Sequence, residues 1–158
     1  MNYQEILKNN PSNGDLCYIM CYCTDETLRN SAGEMLKGQS PSNDDLCYIM
    51  RHSPDETFRN SAWEMLKAAV APGVEIDEEA LIKEIAQQVL SHPGSLEMSE
   101  WHCGAAHCLA GWATVLNEDA RKIEQEHDTH TAGCVALPSY AHLFFLSNEE
   151  ALEVLKNL

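Results

Sequence analysis

The chain has 158 residues, 25 acidic and 10 basic, which gives a formal charge of −15 at pH 7, and 44% of its side chains are apolar. This length suits one domain, or a short repeat array joined to a small domain, with enough apolar matter for a core. Phosphates repel so acidic a chain, which argues against direct nucleic-acid binding, and no apolar run approaches the roughly 20 residues that cross a bilayer. No basic-then-apolar export pattern opens the sequence. A cytoplasmic protein without membrane contact is expected, its seven cysteines reduced and mostly packed as small apolar groups.

Residues 11–37 and 41–67 agree at 20 of 27 positions, a repeat of period 30. Glu5-Ile6-Leu7-Lys8 matches the end of a unit, Glu34-Met35-Leu36-Lys37, so a partial unit precedes two full ones. Within the second copy, Ser42 or Asn43 can cap a helix over 43–52 with Leu46, Ile49 and Met50 at helical spacing. Ser53-Pro54-Asp55-Glu56 reads as the start of a second helix, 54–68, because it combines a capping serine, a first-turn proline and a glutamate three residues after the cap. Phe58, Ala62, Met65 and Leu66 form its apolar stripe. Cys17 and Cys47 hold equivalent places in the two units, whereas Cys21 and Cys23 have no counterparts. A Cys17/Cys21/Cys23 metal cluster is therefore set below packing.

The run Asp55-Glu56-Thr57-Phe58-Arg59-Asn60-Ser61-Ala62-Trp63-Glu64-Met65-Leu66 resembles the second helix of short HEAT-like repeats, of the phycobilisome-lyase and leucine-rich-repeat-variant types. Arg29 and Arg59 match the arginine of those repeats, and Ala32 and Ala62 their small packing position. The resemblance covers roughly residues 1–67 and implies a stacked scaffold that binds other proteins.

Repeats are assigned to 1–70, a linker to 71–76 around Ala71-Pro72-Gly73, and a second, Cys/His-containing helical domain to 77–158. Asp77 can cap a helix over 78–91 that His92-Pro93-Gly94 ends. The alanine-rich stretch that follows predicts a buried helix over 104–116, with Cys103 and His107 brought onto one face by their four-residue spacing. On such a helix His102 and His107, five apart, do not meet. A polar helix over 117–126, a loop over 128–134, a turn at Pro138 and a helix over 148–157 complete an all-α chain.

Trp101-His102, Cys103-Gly104, His107-Cys108 and Ala110-Gly111-Trp112, continued by Phe144-Phe145 and Ser147-Asn148-Glu149-Glu150-Ala151-Leu152, resemble an uncharacterised bacterial and phage domain. This resemblance covers roughly residues 77–158 and implies a domain without an assigned activity.

Three functions fit the residues. The first is a protein-interaction module on acidic helical repeats, without catalysis or cofactor, facing a partner of basic character. The alternative is a thiol- or zinc-dependent enzyme centred on Cys103 and His107. Its thiol would be activated at a helix amino terminus with His107, His130 or His142 as base, or its zinc held by Cys103, His107, His130 and Cys134, with His127 as a substitute ligand. The third is an acidic mimic of a nucleic acid.

Overall fold

The computed structural model describes residues 2–158, and these form an all-α chain interrupted by one two-stranded hairpin. They divide into two compact units, one ending at Leu66 and the other spanning Lys67–Leu158, so the division falls within a helix. No helix among the described residues is long and apolar enough to cross a membrane.

The first unit holds helices α1 (Tyr3–Lys8), α2 (Asn13–Tyr22), α3 (Glu26–Lys37) and α4 (Asn43–His52) and the greater part of α5 (Glu56–Val70). Equivalent helices start 30 residues apart, Asn13 with Asn43 and Glu26 with Glu56. Each first helix opens on a capping box. Ser12 and Asp15, and likewise Ser42 and Asp45, satisfy each other's backbone amides. Buried Leu16, Ile19 and Met20 of α2 recur as Leu46, Ile49 and Met50 of α4.

The second helix of each repeat begins later than the sequence suggests. Asp25 Oδ1 accepts from the Thr27 and Leu28 amides at 2.9 and 3.2 Å, and Asp55 Oδ1 accepts from Thr57 at 2.9 Å. Aspartate, not Ser53 with Pro54, therefore makes the cap, because Ser53 is already the C-cap of α4. The repeat arginine also finds its purpose here. Arg29 donates from Nη1 to the Cys23 carbonyl at 2.8 Å, and Arg59 to the Ser53 carbonyl at 2.7 Å. In both cases a guanidinium on the second helix satisfies a carbonyl that the end of the first helix leaves without an intrahelical donor.

The second unit continues with α6 (Glu78–Ser91), a 3-10 turn (Pro93–Ser95), strands β1 (His102–Cys103) and β2 (Ala106–His107), and α7 (Leu109–Leu116). After these come α8 (Glu118–Glu126), α9 (Thr129–Ala136), a second 3-10 turn (Pro138–Leu143) and α10 (Asn148–Lys156). Helices α7, α8 and α9 pack on one another, and α6 lies on α7 and α10. Asn148 ties α10 to the segment before the hairpin, accepting from the Met98 amide at 2.6 Å and donating to the Leu96 carbonyl at 3.2 Å.

Two expectations fail in this unit. The helix expected over 104–116 starts only at Leu109, and residues 102–107 form the hairpin instead. Gly104 has φ +61° while Ala105 has no positive φ, the signature of a tight turn with glycine at its first central position. The loop expected over 128–134 is instead α9, capped by Asp128, which accepts from the Thr131 amide at 2.7 Å and the Thr131 hydroxyl at 2.9 Å. Threonine, histidine and glycine make this a poor helix by propensity. Burial of the whole run from Thr131 to Ala136 overrides that preference.

Candidate functional site

Each unit carries one group of side chains with chemistry to offer. In the first unit it is a row of rings on the first helices of the repeats. Tyr18 and Tyr22 lie four apart on α2, and their counterparts Tyr48 and His52 lie four apart on α4, so each pair shares a face. The repeat stacks one pair beside the other. Ring centroids are 6.5 Å apart for Tyr3–Tyr18, 4.8 Å for Tyr18–Tyr22, 6.2 Å for Tyr22–His52 and 4.5 Å for Tyr48–His52. Tyr48 donates its hydroxyl to that of Tyr22 at 3.3 Å, closing the row. That hydrogen bond, then burial, pushes the Tyr48 phenol above its ordinary value, and burial beside Arg51 holds His52 below its own. The rings remain reachable, since Tyr18 is 42% and Tyr22 45% exposed.

The sequence charge of the first unit is one-sided. Residues 1–66 contain ten carboxylates and five basic side chains. Arg29 and Arg59 are engaged on the helix-end carbonyls, and Lys37 on Glu34 at 2.8 Å. Cys17, Cys21, Cys23 and Cys47 are all buried, and Cys17, Cys21 and Cys23 belong to no convergent trio of metal-ligating atoms among the described residues. Burial, aided by the Asp45 charge, pushes the Cys17 thiol up to about 12, and burial alone takes Cys21 to about 12.

The second group is built by the hairpin. Backbone pairing sets His102 opposite His107 and Cys103 opposite Ala106, and the Cys108 amide donates to the Trp101 carbonyl at 3.3 Å to close the base. Side chains opposite each other share a sheet face while neighbours alternate, so the two imidazoles meet and Cys103 points the other way. Their Nδ1 atoms are 2.8 Å apart. His102 Nε2 lies 2.7 Å from Glu124 Oε1 of α8, which also accepts from the Thr129 hydroxyl at 2.6 Å. An ionised carboxylate only accepts, so His102 carries its proton on Nε2 and turns the Nδ1 lone pair toward His107. Burial raises Glu124, but hydrogen bonds from Thr129 and His102 outweigh it and leave the carboxyl below its ordinary value. Burial and the neighbouring His102 together hold His107 below its ordinary value.

The shared helical face expected for Cys103 and His107 disappears with the helix. The two residues lie on one hairpin but in different cross-strand pairs, and neither belongs to a convergent trio of ligand atoms among the described residues. Cys103 is exposed on β1, away from any helix amino terminus. That position belongs to Cys108, the N-cap of α7, whose sulfur accepts from the Gly111 amide at 3.3 Å and whose thiol burial pushes up. His130 and Cys134 lie one turn apart on α9, with the His130 ring stacked on Trp101 at 5.5 Å and edge-on to Phe145 at 5.5 Å. His127 is the exposed C-cap of α8, and His142 lies exposed in the second 3-10 turn.

Sequence reasoning misses His102, Glu124, Thr129 and the ring row. A glycine after Cys103 is the local hint for the hairpin, since a two-residue turn can place Gly first. The repeated i, i+4 rings are the hint for the row. Scans against protein-family models, curated proteins and solved structures return no match.

Proposed function

We propose that the chain is a protein-interaction module whose recognition face is the ring row of the repeats, and that it takes an arginine-rich segment of its partner. The observation that carries this reading is the continuous, partly exposed row Tyr18–Tyr22–His52–Tyr48 on a unit with twice as many carboxylates as basic groups. A tyrosine face attracts a guanidinium, which can also stack flat on it, at about 0.5–1 kcal/mol per exposed contact. The acidic excess of the unit supplies long-range attraction and raises the association rate.

A synthetic arginine-rich peptide titrated into the full chain tests this. Saturable binding is expected, weakening as salt rises because the attraction is screened. Tyr18→Leu combined with Tyr22→Leu removes two ring faces and should lower the affinity about tenfold, the sum of two such contacts. Equal binding by wild type and variant, or preference for a proline-rich peptide of the same length, overturns the reading.

A further inference from the structure

We propose that His102 and His107 form a two-imidazole site for a divalent first-row cation of right-angled coordination, nickel(II) or copper(II). The proposal stands on the second unit alone and is independent of the ring row.

Three features of the hairpin carry it. The two Nδ1 atoms are 2.8 Å apart on one face of a closed turn, and His102 and Glu124 keep 36% and 22% side-chain exposure, so solvent reaches the site. Glu124 accepts from Nε2 of His102, the outer-shell arrangement in which a carboxylate fixes the tautomer of a ligating imidazole. Thr129 in turn holds Glu124. The backbone beneath is pinned as well, because the His107 carbonyl accepts from the Glu97 amide at 3.1 Å and the His107 ring packs edge-on against Trp112.

If the two rings keep this Nδ1–Nδ1 separation as they turn to a cation, it favours one coordination geometry. Two metal–nitrogen bonds of about 2.0–2.1 Å span about 2.8–3.0 Å when at right angles, but about 3.3–3.4 Å in a tetrahedron. Right-angled coordination suits nickel(II) and copper(II), and tetrahedral coordination suits zinc. In the cation-free hairpin the space between the nitrogens holds the His107 Nδ1 proton, donated to His102. On binding, that proton moves to Nε2 of His107, both Nδ1 lone pairs turn to the cation, and water fills the remaining positions. No net charge leaves the protein.

Titrating the reduced full chain with nickel(II) chloride alone, followed by calorimetry, tests the proposal. One equivalent should bind to wild type and to a variant lacking the exposed histidines elsewhere in the unit (H92A/H127A/H142A). His102→Ala with His107→Ala should abolish that equivalent. Glu124→Gln keeps an acceptor oxygen for His102, so the hairpin stays closed, and affinity should fall 10- to 100-fold with the circular dichroism spectrum unchanged. Absence of saturable binding in wild type, retention of the equivalent in the double histidine variant, unchanged affinity in Glu124→Gln, or tighter binding of zinc than nickel each overturn it.

Discussion

Arg59 shows how much a single side chain of the repeat contributes. Its guanidinium is partly buried and donates to the Ser53 carbonyl, and Arg29 does the same for Cys23. Arg59→Met keeps much of the apolar stem but leaves that carbonyl without its charged donor. Hydrogen bonds to charged groups contribute about 1.5–3 kcal/mol, so chemical denaturation should show a loss of about that size. A loss near zero would mean that water replaces the guanidinium. The same scale explains what the sequence conveys about a site and what it hides. The stripe of Leu46, Ile49 and Met50 announces the buried side of α4, because apolar spacing reports burial. Tyr48 and His52 lie off that stripe, and no apolar pattern singles them out. Glu124 is harder still, because it reaches His102 across 22 residues of chain.

Among the elements, those fixed by local chemistry are the most legible. Helices α4 and α6 fall on 43–52 and 78–91, the ranges that their caps and stripes indicate. The hairpin and α9 depend instead on tertiary partners. An alanine-rich run fits a helical stripe equally well, and two-residue strands are too short for alternation to show. Helix α9 exists because it packs closely on α7. A methyl group at Gly133 would sit 2.5 Å from the Ala110 Cβ and 3.0 Å from Phe144. Gly133→Ala should therefore destabilise the second unit by about 1–3 kcal/mol of overpacking, despite the roughly 1 kcal/mol that alanine gains in helix propensity. A raised melting temperature in this variant would show that α7 and α9 separate at little cost.

Across the whole molecule, burial favours the protonated form of thiols in both units. Burial pushes the Cys17 and Cys21 thiols up to about 12 from an ordinary 9.0, and it also raises Cys108. Between those values the unfolded chain has lost the thiol protons while the folded chain still holds them. The stability present below pH 9 is then lost as pH rises toward 12. The urea midpoint should fall between pH 8 and pH 10.5, and Cys17→Ala with Cys21→Ala should shrink that fall. A midpoint that does not move would contradict the burial of these thiols. Growing repulsion on a chain already at −15 acts in the same direction, and salt distinguishes the two because it screens surface charge far better than a buried thiol.

The near identity of the two repeats has a consequence for how such a surface changes in size. Each 30-residue copy brings its own capping box, its own arginine on a helix-end carbonyl and its own pair of rings. Duplicating one unit would lengthen the row by two rings without requiring any new kind of contact. If the row binds as proposed, its reach would be set in whole steps, and a longer basic stretch would be matched by copying rather than by redesign.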